Sequence, residues 1–141
     1  MRPARTEMVA SGYLFVPINP FRTLDSRAYS DGFMVAGDTW FFDVLTDQAG
    51  SPMIPASAVA VTYNLTVAGT RGGGYCALYP ADINWPGNSS INWTQTGQTI
   101  ANGGTVAIGF LDAAGQVEIY CDSTGGFAGT DFILDITGFY G

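Results

Sequence analysis

A regular alternation of hydrophobic and polar positions runs through Ser57–Val67. Its large side chains fall on one side of a two-residue period: Val59, Val61, Tyr63, Leu65 and Val67. The other side carries alanine, threonine and asparagine. Because successive side chains of a β-strand point to opposite faces, this pattern predicts a central strand with one buried face and one face that another layer can approach closely.

Shorter patterns of the same kind recur between glycine, proline and aspartate residues. They predict strands at Gly12–Ile18, Thr39–Leu45, Tyr75–Tyr79, Ser90–Thr94, Gln98–Ala101, Thr105–Leu111, Gln116–Cys121 and Asp131–Phe139. Asp112–Gly115 is typical of a hairpin turn. No segment sustains helical periodicity. About ten short strands predict an all-β chain folded as an antiparallel β-sandwich, of jelly-roll or immunoglobulin-like type.

The length of 141 residues is typical of one domain. Residues 1–11 are polar and irregular and are predicted to be an N-terminal arm, with residues 12–141 forming a single sandwich domain. Only 12% of the residues are charged, about half the usual share. A surface so poor in charge favours an assembly component over a freely diffusing monomer.

The formal net charge is −7, all five cations are arginine, and there is no histidine. Phosphate repels so acidic a chain, so nucleic acid and anionic membranes are not expected partners. No segment approaches the ~20 apolar residues of a membrane span. Without histidine the commonest general base and metal ligand is missing, and no cofactor or metal is expected.

The beginning of the chain bears on its location. The apolar residues after Met1 are interrupted by Ser11, Gly12 and Pro17 and do not resemble a secretory leader. If Met1 is native, the chain is expected to stay in the cell or to leave by lysis. If Met1 is not native, removal of a signal peptide from a secreted precursor is the alternative.

A cluster of charges follows the first predicted strand. Arg22, Asp25 and Arg27 lie within six residues, and an aspartate between two arginines can accept a bidentate hydrogen bond. As an enzyme residue Asp25 would be a general base, but arginine lowers the pKa of an adjacent carboxyl and so weakens it as a base. We therefore expect an ion-paired corner that fixes a strand end.

Two cysteines, Cys76 and Cys121, lie within predicted strands. Two ligands without histidine cannot complete a zinc site. A disulfide and a pair of buried free thiols both remain open.

The aromatic residues suggest a carbohydrate platform. Trp85 and Trp93, with Tyr75, Tyr79 and Tyr120, could stack on sugar rings, while Asp82 or Asn88 could contact hydroxyl groups. The alternative is that most of these rings lie in the core or in a subunit interface.

Six short motifs follow one another in a recognisable order. They are Arg22–Arg27, Ile54–Thr66, Gly74–Pro80, Ser90–Trp93, Gln98–Asn102 and Asp135–Tyr140. In this order the chain resembles a β-sandwich module of actinobacterial secreted or wall-associated proteins and of actinobacteriophage virion proteins. It departs from the module at Ser26, where the module has threonine, and at the two cysteines. Such modules serve adhesion, display and spacing.

The resemblance implies structural roles for individual residues. Arg22, Asp25 and Arg27 would brace the corner, and Asp135 would pair with one of the two arginines. Three asparagines would tie loops through amide hydrogen bonds: Asn64, Asn92 and Asn102.

The expected function is a non-enzymatic structural virion protein of an actinobacterial phage, as a capsid decoration (head) protein or a minor tail protein. Arg2 and Arg5 would contact the major capsid or tail protein at the virion surface, and the chain would form a homo-oligomer, with a trimer suggested by the resemblance. The alternative is a secreted, cell-wall-associated carbohydrate-binding or adhesion module. An enzyme is the least favoured class, because no nucleophile–base pair or metal cluster is visible in the sequence.

Overall fold

The computed structural model describes residues 12–141. They form two short 3₁₀ turns, Ser26–Ala28 and Leu111–Ala113, and nine β-strands. The strands are β1 (Phe15–Asp25), β2 (Met34–Val35), β3 (Thr39–Asp43), β4 (Ala60–Arg71), β5 (Gly74–Pro80), β6 (Ile91–Trp93), β7 (Ile100–Ala107), β8 (Gln116–Ser123) and β9 (Gly129–Tyr140). The predicted arm at residues 1–11, with Arg2 and Arg5, lies outside the described residues. Within residues 12–141 no helix is long and apolar enough to cross a membrane.

The strands form two antiparallel sheets packed against each other. The first sheet has the order β1-β9-β4-β7, and β2 pairs with the start of β9. The second sheet has the order β3-β8-β5-β6. The predicted all-β antiparallel sandwich is therefore confirmed, with nine strands where the sequence suggested about ten.

The core lies between the inner faces of the two sheets. On β4 the predicted apolar face is buried: Val61, Tyr63, Leu65 and Val67. Phe132 of β9 packs across the core against Trp40 and Phe42 of β3, with ring centroids 5.6 and 6.0 Å apart. Burying a side chain of this size stabilises the fold by about 1.5–3 kcal/mol, so these contacts hold the sheets together.

The strand β7 replaces two predicted strands, Gln98–Ala101 and the beginning of Thr105–Leu111. Extended backbone continues through Gly103 and Gly104, which lie between the two predicted strands. A Cβ atom on Gly104 would lie 2.5 Å from the hydroxyl oxygen of Tyr63. Glycine is therefore needed here so that the Tyr63 ring can lie against β7.

The hairpin predicted at Asp112–Gly115 was wrong. The strands on either side, β7 and β8, belong to different sheets, so this connection crosses from one layer of the sandwich to the other. Leu111–Ala113 form a 3₁₀ turn, and Gly115 has a φ of 77°, which suits glycine. Local turn residues indicate a change of direction but not which strand pairs next.

Candidate functional site

The four residues of the expected corner lie together at the end of β1. Arg22 is the cross-strand partner of Asp135 on β9, and its guanidinium donates from Nε to Oδ1 (2.9 Å) and from Nη2 to Oδ2 (3.3 Å). Arg27 makes the same bidentate contact with Asp25, at 2.9 and 2.8 Å. Arg22 Nη1 also lies 3.7 Å from Asp25 Oδ2. The charges alternate in sign along the corner, which links the 3₁₀ turn to β9.

The corner shifts the pKa of its members. The hydrogen bond from the Arg27 side chain lowers the pKa of Asp25, and the Arg27 backbone N–H adds to this effect. The hydrogen bond to Asp135 raises the pKa of Arg22. A carboxylate held ionised in this way accepts hydrogen bonds well but binds protons weakly, so the arrangement suits a structural brace.

Ser26, where the module has threonine, is a further member of this region, with a role that the sequence did not assign. Its side chain is fully buried; Oγ donates to Asp131 Oδ1 (2.8 Å) and accepts the backbone N–H of Phe132 (2.8 Å). The hydroxyl thus ties the turn to β9 at a point where the strand would otherwise leave a buried N–H without a partner. The sequence did contain a signal for this role, because the module has threonine, which also carries a hydroxyl group, at the same motif position.

The outer face of the second sheet carries an aromatic cluster formed by Tyr75 (β5), Trp85 (β5–β6 loop) and Tyr120 (β8). The Trp85 ring centroid lies 5.0 Å from Tyr120 and 6.1 Å from Tyr75, with interplanar angles of 45° and 27°. The Tyr75 and Tyr120 rings meet edge to face at 6.3 Å. Trp85 remains 40% exposed. The cluster therefore offers part of a large aromatic surface to solvent, which is the chemistry that stacks on sugar rings.

An ionised carboxylate adjoins the aromatic cluster. The Tyr120 hydroxyl donates to Asp122 Oδ2 at 2.6 Å, and the Ser123 backbone N–H donates to Asp122 Oδ1 at 2.8 Å. The Tyr120 hydrogen bond lowers the pKa of Asp122, and the same bond raises the pKa of Tyr120 to about 12. The cluster thus combines an apolar surface with a negative charge at its edge.

The residues proposed for the glycan platform do not lie together at one site. Trp85 belongs to the aromatic cluster, whereas the proposal for Trp93 was wrong: its ring is only 2% exposed in the core, and its Nε1–H donates to the Arg71 carbonyl at 3.3 Å. Asp82 accepts the backbone N–H of Phe110 at 3.3 Å. Asn88 stabilises the loop instead. Its side-chain amide donates to the Leu78 backbone carbonyl (3.3 Å), and its own backbone carbonyl accepts the Trp85 indole N–H (2.9 Å).

The asparagines expected to tie loops do so at two of the three positions. Asn92 donates to Ser89 Oγ at 3.1 Å, and Asn102 donates to the Ser90 carbonyl at 2.9 Å. The Asn102 bond connects β7 to the β5–β6 loop of the other sheet. Asn64 lies instead on the outer face of β4, opposite Asp135 and Gly103.

The two cysteines are directly opposite each other on β5 and β8. Both are fully buried, and both are free thiols in this structure. The hydrogen bond with the Cys121 thiol, together with burial, raises the pKa of Cys76 well above its ordinary value. The Cys76 thiol is therefore held protonated in the core.

A cavity of about 170 Å³ opens beside β2 and β3, where Asp31, Asp38 and Trp40 contribute to its lining. The Asp38 carboxylate has a hydrogen-bond partner within the chain, because Oδ2 accepts the Val35 backbone N–H at 2.9 Å. Within residues 12–141 no group of three or more histidine, cysteine, aspartate or glutamate side chains could hold a metal ion.

The sites described above rest on the chain's own geometry. Comparison of the sequence with protein-family models and with curated proteins, and of the structure with solved structures, gave no match.

Proposed function

We propose that this protein is a non-enzymatic structural component of an actinobacterial phage particle, located at the virion surface as a head decoration protein or as a minor tail protein. The ordered series of six motifs supports this proposal, because the module that it resembles occurs in such virion proteins. The low share of charged residues supports it as well.

The observation that carries the proposal is the part of the outer face of the first sheet that β4 and β7 form. The side chains that β4 and β7 direct to this face are small and uncharged. They are Ala60, Thr62, Asn64, Thr66, Ala68, Ala101, Gly103, Thr105 and Ala107. Covering such a face requires neither desolvation of charges nor ordering of long side chains, so a neighbouring subunit can lie flat against it.

A second surface adjoins the N-terminal segment. Tyr13, Leu14 and Phe15 are 62%, 76% and 46% exposed and are separated from residues 1–11 only by Gly12. Consecutive exposed apolar residues favour contact with another protein. We propose that residues 1–11 and this apolar stretch together contact the major capsid or tail protein, with Arg2 and Arg5 pairing to its carboxylates.

The test is to locate the protein on purified phage particles by mass spectrometry and immunogold labelling. A variant lacking residues 1–11, and the variant Arg2→Glu/Arg5→Glu, should be lost from the particles while their thermal unfolding stays unchanged. Equal occupancy of the particles by these variants would contradict the arm contact. Absence of the wild-type protein from particles would contradict the virion assignment itself.

The aromatic cluster favours a second candidate function, which is binding to a cell-wall glycan by a secreted module. Trp85→Ala should abolish retention on isolated actinobacterial cell walls, because it removes the exposed ring of the cluster. Phe127→Ala is the matched control, since Phe127 is an exposed ring (58%) outside the cluster. Equal retention of Trp85→Ala and the wild type would exclude the cluster as a glycan site.

A further inference from the structure

The strand β7 has one unpaired edge. Its register with β4 is continuous from Ala60↔Ala107 to Val67↔Ile100, and β4 is its only partner strand among residues 12–141. Just beyond β7, the Ile108 N–H donates to the Val59 carbonyl at 3.0 Å. Every second residue counted back from Ile108 therefore directs its backbone N–H and C=O groups toward β4. The alternate residues therefore direct their backbone N–H and C=O groups away from the sheet. They are Ala101, Gly103, Thr105 and Ala107, and all four are exposed.

The other edge strands are protected against pairing. The strand β1 contains Pro17 and Pro20 and has two register shifts along β9. The edge strands of the second sheet are short: β6 has three residues and β3 has five. By contrast β7 has eight residues, no proline, no charge and no irregularity in its register. A long, flat, uncharged edge is a template for pairing with another strand.

We propose that β7 pairs antiparallel with β7 of a second copy of this chain about a two-fold axis, which joins the two first sheets into one continuous sheet. One register satisfies every outward group: Ala101 opposite Ala107 of the second copy, and Gly103 opposite Thr105 of the second copy. Each hydrogen-bonded antiparallel pair exchanges two bonds, so the interface gains about eight backbone hydrogen bonds. This self-complementarity is what favours a second copy over an unrelated strand.

The side chains permit the same register. On the outer face every residue brought opposite another is alanine, glycine or threonine. On the other face Asn102 lies opposite Val106 of the second copy and Gly104 opposite Gly104, so no like charge opposes the pairing. Each copy has a formal charge of −7, but none of it lies on β7. The repulsion between copies is therefore long-range and screened by salt, so dimerisation strengthens as salt rises. If β7 instead bound a basic strand of another protein, the binding would weaken as the salt concentration rises.

This interface is independent of the proposed virion role, because it concerns the association of purified copies. It gives two-fold symmetry, whereas the resemblance suggests a trimer. Sedimentation equilibrium of the full chain distinguishes them, because the dimer has twice the 14.9 kDa mass of one chain. A monomer at millimolar concentration, or a trimer, would overturn the inference.

Thr105→Pro tests the hydrogen bonds. The Thr105 N–H points away from β4, so proline removes a donor of the interface without removing a bond of the sheet. It should weaken dimerisation by tenfold or more, as expected from about two lost hydrogen bonds per dimer, while Thr105→Ser leaves it unchanged. Equal dimerisation of Thr105→Pro and the wild type would overturn the inference. So would slow hydrogen exchange of the Thr105 amide in a monomer, since another segment of the chain would then cover the edge.

A pair of double variants tests the register without proline. In the proposed register Ala101→Glu/Ala107→Lys places opposite charges across both ends of the interface, and Ala101→Lys/Ala107→Lys places like charges there. We expect the first to dimerise roughly tenfold more tightly than the second at low salt. Equal dissociation constants would overturn the register.

Discussion

Arg22 and Asp135 are direct cross-strand partners, joined by two parallel N–H···O bonds on the outer face of the first sheet. The pair closes β1 onto β9 between the two register shifts of β1, shortly before the 3₁₀ turn. The two side chains carry opposite charges and so offset each other beside the small, uncharged side chains of β4 and β7. The contact fixes where an irregular edge strand meets the centre of the sheet.

Breaking this pair should cost little stability. The Arg22 side chain is 48% exposed, so solvent screens the pair and its net contribution is about 0.5–1 kcal/mol. We expect Arg22→Gln and Asp135→Asn each to lower the free energy of unfolding by that amount. A double-mutant cycle in urea measures the coupling. A coupling near zero would show that the pair orders the edge without stabilising it.

The ion pair of Asp25 predicts a dependence of stability on pH. Arg27 lowers the folded-state pKa of Asp25 below its ordinary value of 3.8, so the folded state holds the carboxylate ionised where the unfolded state has begun to take up a proton. The stabilisation is complete above the unfolded pKa and is lost as pH falls through the folded pKa. The difference in unfolding free energy between the wild type and Asp25→Asn should therefore be constant from pH 7 to about 5 and shrink below pH 4. A difference that grows on acidification would contradict this assignment.

Ser26→Ala should be more costly than either change to the ion pair. It leaves the buried N–H of Phe132 without an acceptor and removes the donor to Asp131. We expect a loss of about 1–3 kcal/mol in urea unfolding. Ser30→Ala, at an exposed position in the same loop, is the control and should change stability by less than about 0.5 kcal/mol.

The hydrogen bond of Tyr120 can be measured by ultraviolet titration. Its donation to Asp122 raises the pKa of Tyr120 to about 12, above the ordinary value of 10.0. In Asp122→Asn the acceptor is no longer charged, so one tyrosine should titrate closer to pH 10 than in the wild type. The Tyr79 phenol also has a pKa of about 12, chiefly from burial, and Tyr120 makes only the smallest contribution to it, so its titration should shift less than that of Tyr120. Identical titration curves would show that the bond is absent in solution.

The two-residue period predicted the sandwich because it indicates which side chains of a strand are buried. On β4 and β9 this alternation is visible within the strand's own sequence. It was less useful where burial depends on a distant residue. Gly103 and Gly104 lie between two strands that were predicted separately, and the Tyr63 ring packed against Gly104 explains why glycine continues a single strand there. The wrong hairpin at Asp112–Gly115 has the same origin, since pairing is a non-local property.

The aromatic platform shows how much of a site a sequence can reveal. Trp93 alternates with Asn92 and shares a strand face with Ile91, so the same two-residue period could have placed it in the core. Trp85 lies in a loop, where no period applies, and its position over Tyr75 and Tyr120 follows from the hydrogen bonds of Asn88. The cross-strand partner of Arg22 could not be read from local sequence either, because register decides it.

The opposed cysteines yield the last prediction. Cys121 exchanges backbone hydrogen bonds with the chain segment at Gly37 and Asp38, and the Cys76 carbonyl accepts the Ser90 N–H, so the two cysteines form a non-hydrogen-bonded pair. Their Cα atoms are then about 4.5 Å apart, within the range of a disulfide. We expect the thiols to bridge when the protein is refolded with oxidised glutathione, whose disulfide is reduced as the protein loses two protons and two electrons.

The oxidised protein should weigh about two daltons less than the reduced protein and unfold with about 2–4 kcal/mol more free energy. Native oxidation should be slow, because both sulfur atoms are fully buried and only a transient opening exposes them. Cys76→Ser is the control, since it retains one thiol and cannot form the bridge within a chain. If the refolded wild type keeps the reduced mass, the register of β5 and β8 holds the two sulfur atoms in a geometry that excludes a bond, and the pair serves packing alone.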